Sequence, residues 1–294
     1  MIDLLSASAP LFAGVVFLLG LLVGSFLNVV IHRLPVMLER AWRRECLALD
    51  GKEPPAEAPY NLVVPRSACT SCQAPIGALQ NIPVLSWLLL GGRCRSCKAR
   101  ISARYPLVEL FTAVLSAAVA WKFGFGWTAA AALVLTWFLV ALACIDIDTQ
   151  LLPDNLTLPL LWLGLLVALL LPYHTGARLP VDLSDAVIGA MAGYLALWSM
   201  YHLFRLLTGK EGFGYGDFKL LAALGAWLGW QMLLLIVVGA ASVGAVVGIA
   251  AIVFKGRDKS VPVAFGPYLA AAGWLALMCG PELVGAYFGL YAPR

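Results

Sequence analysis

Two groups of side chains in this sequence have the types and spacing to do acid–base chemistry. One is Cys144-Ile145-Asp146-Ile147-Asp148-Thr149-Gln150-Leu151-Leu152-Pro153-Asp154, and the other is Gly214-Tyr215-Gly216-Asp217-Phe218-Lys219. Both stand where long apolar runs end, and ionisable groups at such places are functional by default because burying them is costly. Two carboxylates brought to one level in a poorly hydrated site share a single proton. One can then take a proton from water while the other gives one to a scissile carbonyl. That is the working part of an aspartic protease. Gly214 and Gly216 permit positive φ and close approach of another chain, and Lys219 is expected beside Asp217 or at lipid phosphates. Asp154 or Asn155, after the break at Pro153, suits a helix N-cap. Asp146 and Asp148 point to different sides of a helix end, so one is expected to be catalytic and the other a cap or partner.

A second constellation is Cys69-Thr70-Ser71-Cys72 and Cys94-Arg95-Ser96-Cys97, two CxxC knuckles with 21 residues between them. That spacing points to a tetrahedral thiolate site for zinc. Four thiolates leave no open position for water, so the expected role is to staple a loop too poor in apolar residues to build its own core. A reducing cytoplasm would keep the thiols available. Cys46, Cys144 and Cys279 are isolated; the latter two are expected to be buried small hydrophobes.

The elements that position these groups follow from composition. The 294 residues are 62% hydrophobic and 12% charged, with mean hydropathy +0.88. This excludes a soluble globular protein, a disordered tail and a secreted disulfide scaffold. Apolar runs at about 11–32, 105–121, 127–145, 155–172, 184–206, 219–254 and 264–288 suit helices that cross a hydrocarbon core, which takes roughly 20 residues each. Eleven of the twenty Lys and Arg, against five acids, lie from Arg33 to Arg104, giving that loop +6. By the positive-inside rule the loop is cytoplasmic, and its charge sets orientation and does not imply nucleic acid. Alternation then places Lys122 and Arg178 outside and Asp146, Arg205 and Lys210 inside. The 219–254 stretch is too long for one crossing. A hairpin turning at Trp227-Leu228-Gly229-Trp230 returns Lys255, Arg257 and Lys259 to the cytoplasm and sets Asp217 on the same side as Asp146. The expected fold is an all-α polytopic membrane protein of about eight membrane helices, with a cytoplasmic zinc-knuckle loop between the first two. The first apolar run lacks a basic n-region and is too long for a cleavable signal, so it is read as a signal-anchor helix. The compositional boundary falls at Arg104, dividing the chain into 1–104 and 105–294.

Taken together, these motifs resemble the prepilin peptidase family, the type 4 prepilin leader peptidase/N-methyltransferases of the GxGD aspartic protease kind. The resemblance rests on Gly24-Ser25-Phe26-Leu27-Asn28-Val29-Val30-Ile31-His32-Arg33-Leu34-Pro35, the paired CxxC, the aspartate cluster ending in Leu152-Pro153-Asp154, and Gly214-Tyr215-Gly216-Asp217-Phe218-Lys219. Val263-Ala264-Phe265-Gly266-Pro267 departs at Ala264 from the Pro-Phe-Gly-Pro common in the family but keeps the Gly266-Pro267 break. Counting back from Pro153, the resemblance implies Asp146 as the first catalytic aspartate, with Asp148 as competitor, and Asp217 as the second. Gly214, Gly216, Lys219, Gly266 and Pro267 are supporting residues. It further implies that 1–104 is methyltransferase-associated and 105–294 is the membrane-embedded peptidase. The substrates implied are type IV prepilins and type II secretion pseudopilins, cut after a glycine at the cytoplasmic face of the bacterial inner membrane. The new N-terminal residue, usually Phe, is then N-methylated from S-adenosylmethionine. No nucleotide-binding fingerprint is present, so that cofactor follows from the resemblance alone. Gly24, Ser25, Asn28, Arg33 and Glu109 are candidates to line its pocket, although small residues at 24 and 25 equally suit helix packing. Glu109 is expected to pair with Arg33 or Arg104. The substrate's own membrane segment is expected to dock along the short arm that begins at Asp217 and the Gly266-Pro267 break.

Two other readings compete. A magnesium-dependent membrane transferase would use Asp146, Asp148 and Asp154, but it needs a second cluster with two carboxylates, and Asp217 stands alone beside a lysine. A non-enzymatic scaffold of a secretion machine would use the cysteine loop for docking and would tolerate loss of Asp217.

Overall fold

The computed structural model describes residues 2–53, 55, 57–171, 179, 181–209, 214–255 and 264–291. Arg178, Lys210, Arg257, Lys259 and Val263, which entered the orientation and resemblance arguments, lie outside the described residues. The chain divides into two compact units, Met1–Phe125 and Gly126–Arg294.

The first unit contains α1 (Ile2–Ala7), α2 (Ala9–Leu49), α3 (Leu85–Leu89) and α4 (Arg104–Phe123). Ser8 caps α2 by accepting the Leu11 N–H, and a proline stands in the first turn, where its missing N–H costs nothing. The helix does not stop at the membrane edge expected near residue 32. It runs through Pro35 to Leu49, because Leu, Glu, Arg and Ala dominate the extension and Glu39 pairs with Arg43 one turn on. The loop expected from Arg33 therefore opens as helix. α4 lies against α2 at close range: a Cβ on Gly20 or Gly24 would come within 2.7 Å of the Cα of Ala113 or Glu109, the small-residue contact typical of membrane helices. Buried Thr112 and Ser116 return their hydroxyls to the carbonyls of Val108 and Thr112, both at 2.7 Å. Among the described residues, no buried hydroxyl of that seam lacks a partner.

The second unit contains α5 (Trp127–Thr149), α6 (Asp154–Leu170), α7 (Leu183–Thr208), α8 (Tyr215–Leu228), α9 (Leu233–Lys255) and α10 (Gly266–Tyr291). α8 is its hub, packed by α6, α7 and α10 and buried at every residue from Leu220 to Leu228. A helix apolar on all sides belongs in such a place. Gly189 of α7 and Gly225 of α8 meet backbone to backbone, and a Cβ on either would strike the other's carbonyl. Gly164 of α6 clears room for the Trp227 ring, whose indole N–H donates to the Leu160 carbonyl at 2.7 Å. Gly229, at φ +79°, ends α8 and turns the chain. Trp230 and Gln231 then donate to Asp185 near the start of α7. The long apolar stretch is thus a short arm and a full arm.

Among the described residues, α2, α4, α5, α7 and a helical stretch from Trp230 to Ala250 are long and apolar enough to cross a membrane, while Asp154–Leu170 and Gly266–Gly280 are shorter apolar helices. With α8, the eight apolar segments are all helical, and the protein is an all-α polytopic membrane protein. One smaller expectation fails. Cys144 is half-buried, but Cys279 is exposed on α10, since the outer face of a membrane helix meets lipid, where a small thiol needs no protein neighbours.

Candidate active site

Asp146 occupies the last turn of α5 and is 5% exposed; Asp217 occupies the first turn of α8 and is 7% exposed. Among the described residues these are the buried carboxylates of the second unit. Each is held by a helix N-terminus, where free backbone N–H groups donate to anions. The Gly266 N–H, opening α10, donates to Asp146 Oδ2 at 3.0 Å. The Gly214 N–H donates to Asp217 Oδ2 at 3.1 Å, and the Asp217 N–H returns a bond to the Gly214 carbonyl at 3.1 Å. Asp146 is near enough to Asp217 to act on it electrostatically, although the two belong to different helices. Asp148, two residues on, is exposed.

The glycines act differently from the conformational role expected of them. Gly214 has φ −82°, and Gly216 lies within α8; neither uses positive φ. Gly216 is needed for proximity: a Cβ there would stand 2.6 Å from the Leu152 Cβ. At Gly266 a Cβ would stand 2.6 Å from Asp146 Oδ2 and 3.1 Å from both Leu152 methyls. Gly214 has room, its nearest contact being Asp217 Oδ2 at 3.5 Å. Pro267, next in α10, has no N–H to satisfy, which suits the first turn.

Lys219 does not neighbour Asp217 as a counter-ion. Its ammonium reaches Asp154, donating to Oδ1 at 2.6 Å and Oδ2 at 2.7 Å. Asp154 is the first residue of α6, with Pro153 in the cap position, so a role as N-cap gives way to an ion pair. Leu152, missed by the sequence reading, lies buried between Gly216 and Gly266. An apolar residue in a short link carries no sequence signal for such a place.

In the first unit, Gly24, Ser25, Asn28 and Glu109 gather where α2 meets α4. Gly24 supplies close packing against Glu109, and the Asn28 amide donates to the Tyr105 carbonyl at 3.0 Å. The partners described for Glu109 are not the arginines expected of it. Its Oε2 accepts the Val84 N–H at 2.7 Å, and Ser25 is also hydrogen-bonded to it. Val84 sits at φ +58°, an uncommon conformation for a β-branched residue, so the carboxylate pins a strained turn at the start of α3. Arg33 goes elsewhere, donating to the Asn61 carbonyl at 3.0 Å and lying over the Tyr60 ring, because the 57–64 segment folds back onto the helical extension of α2. Arg40 stacks on the same ring at 4.5 Å.

The four cysteines converge. All four Sγ atoms lie within 4.8 Å of one another, with Cys69–Cys97 at 3.8 Å and Cys72–Cys94 at 4.0 Å. A tetrahedron with Zn–S bonds of about 2.3 Å has edges of about 3.8 Å, so these thiols could hold a metal. The two knuckles are near copies. The N–H groups of Cys69 and Cys94 donate to Ala74 and Ala99, those of Gln73 and Lys98 donate back to Cys69 and Cys94, and Gln73 and Lys98 both take positive φ. The backbone N–H groups of Cys72 and Ser71 pull the Cys69 thiol down to about 6, and those of Cys97 and Ser96 lower Cys94. The Ala99 N–H pulls on Cys97 in the same sense, but the surrounding thiols, Cys72 foremost, outweigh it and push Cys97 up to about 11. Four crowded thiols cannot all ionise without a cation between them.

Comparison with known proteins bears on both units. Residues 18–123 match the Bacterial Peptidase A24 N-terminal domain, and residues 133–249 match the Type IV leader peptidase family. A prepilin leader peptidase/N-methyltransferase of Aeromonas hydrophila is 59% identical over 280 residues less one, covering 94% of each chain. The Pseudomonas aeruginosa protein of the same name is 54% identical over 288 residues, 98% of this chain and 97% of its own. That of Neisseria gonorrhoeae is 48% identical over 274 residues, 92% of each. No solved structure matches the chain. With identity at this level along nearly the whole length, the chain belongs to the type IV leader peptidase family.

Proposed function

We propose that this protein cleaves the leader peptide of type IV prepilins and pseudopilins and then N-methylates the new N-terminal residue. The observation that carries the cleavage reading is the pair of buried carboxylates Asp146 and Asp217, each accepting a backbone N–H from the start of a helix. The substrate's cleavage-site peptide lies extended between them. One carboxylate takes a proton from a water molecule, whose oxygen attacks the scissile carbonyl, and the other protonates the carbonyl oxygen. Collapse of the tetrahedral intermediate breaks the C–N bond, and the departing nitrogen takes up a proton from the pair. Gly266 and Gly214 orient the carboxylates, Pro267 and Gly216 keep the approach close, and Asp148 stands outside this role.

The cysteine cluster holds a structural zinc ion, its closed thiolate set leaving no position for water. The magnesium-transferase reading finds no support in the arrangement: Asp154 is committed to Lys219, and among the described residues the group that could hold a metal is the four cysteines.

Methyl transfer belongs to the first unit. S-adenosylmethionine supplies an activated methyl group when bound. A hydroxyl, an amide and a carboxylate from Ser25, Asn28 and Glu109 suit an N-terminal amine, which must give up a proton before its nitrogen can take a methyl group; Glu109 orients it and can receive that proton, Gly24 lets α2 and α4 close, and Arg33 secures the flanking segment. The protein sits in the bacterial inner membrane, with the +6 segment and both aspartates toward the cytoplasm and lipid around the exposed apolar helix faces.

The test is purified protein with a synthetic prepilin, read by mass spectrometry with and without S-adenosylmethionine. Wild type cuts and methylates; Asp146→Asn and Asp217→Asn each lose cleavage by on the order of 10²–10⁴-fold while expressing normally. Retained cleavage in Asp217→Asn would return the scaffold reading.

A further inference from the structure

The Lys219–Asp154 pair is an exposed-edge interaction, with side-chain exposures of 27% and 52%. Pairs of this kind contribute little to global stability, so its use must be sought in geometry. It joins the second turn of α8, two residues beyond Asp217, to the first residue of α6. Inside it, Leu152 fills the notch at Gly216, the residue just before Asp217, and touches Gly266, whose N–H holds Asp146. The short link between α5 and α6 therefore contacts α8 on both sides of Asp217 and, through Gly266, the support of the other carboxylate.

We propose that Leu152 and the Asp154–Lys219 pair form a positioning clasp that sets Asp217 opposite Asp146. The ion pair fixes the height of α8 along the α5–α6 link, and Leu152 sets the gap between Gly216 and Gly266. None of the three touches the substrate; they act through the two aspartates. This rests on the aspartic protease reading above. Asp217 is the third residue of α8, preceded in that helix by Tyr215 and Gly216 alone, so less than one turn of its own helix backs it and the brace comes from another element. Misplacement of a reacting group by about an ångström is costly to rate, which makes a weak surface pair effective when it stands two residues from the carboxylate.

The experiment measures cleavage kinetics of full-length protein, purified as a monodisperse fraction in lipid nanodiscs, with a synthetic prepilin. Wild type and Asp217→Asn are the reference arms: a wild type that fails to cut removes the protease reading and the clasp with it. With that reading standing, Lys219→Met and Asp154→Asn each lower kcat by on the order of tenfold to a hundredfold with KM unchanged. The double variant is no slower than the worse single variant, because two halves of one device are not additive, and Lys219→Arg recovers most of the rate. Methylation of an already cleaved peptide stays at the wild-type level in all of them, which separates mispositioning from misfolding. Wild-type kcat in Lys219→Met, multiplicative losses in the double variant, a loss carried by KM, or a matching fall in methylation would each overturn the clasp.

Discussion

Asp146 and Asp148 differ in sequence by a single intervening isoleucine, and in the structure by almost everything that matters for catalysis. Asp146 is buried, receives the Gly266 N–H and is coupled to Asp217; Asp148 is exposed. Asp148→Asn is therefore expected to keep prepilin cleavage within about threefold of wild type, since acid–base catalysis of 10²–10⁴-fold rests on the other pair. Equal loss in Asp146→Asn and Asp148→Asn would undo that division. The two motif glycines part company in the same way. Gly216→Ala drives a methyl into Leu152 and is expected to abolish cleavage, whereas Gly214→Ala, with ordinary φ and an open side, retains most of it; the ranking in the mass-spectrometric assay checks this. Glu109→Gln keeps the bond-accepting shape beside Val84 but removes the charge. It is expected to leave cleavage intact and slow methylation at least about tenfold, so that unmethylated mature pilin accumulates.

At the scale of elements, the cysteine knuckles are the case where sequence and structure say nearly the same thing. Spacing of the four cysteines was enough to name the thiols that converge, because a CxxC turn has few ways to fold and each knuckle closes on its own backbone hydrogen bonds. One equivalent of zinc is expected per chain by atomic emission. Chelation, Cys72→Ser, or acidification that protonates the thiolates should release it and open residues 69–97 to protease. Cleavage of prepilin should survive the chelator, where a magnesium-dependent transferase would stop. The helical extension of α2 was less legible. Charged residues after Ile31 read as loop because a membrane-edge argument counts charges, while Glu39–Arg43 pairing and strong helix formers keep the backbone helical to Leu49. Composition marked the change at Arg104, where the polar loop ends. Packing marked a different place, after Phe125, since α4 pairs with α2 through Gly20 and Gly24.

For the molecule as a whole, the +6 segment between Arg33 and Arg104 is expected to set the orientation. Membrane-impermeant thiol labelling of intact cells is expected to miss Cys46 and a cysteine introduced at Tyr215, and labelling of inverted membranes to reach both; the opposite pattern at either position would reverse the topology. What the chain alone determined is what depends on local counting: apolar length for the membrane helices and spacing for the cysteines that converge, while charge carries the expected orientation and two acidic motifs the proposed chemistry. Only the tertiary structure decided which acids are buried, that Lys219 serves Asp154 and not Asp217, that Glu109 holds a backbone N–H, and that Leu152 fills the gap between two glycines. Each of those outcomes joins residues from separate helices. A side chain's partner is set by which faces pack together, and packing sums over many weak apolar contacts that no single stretch of sequence contains.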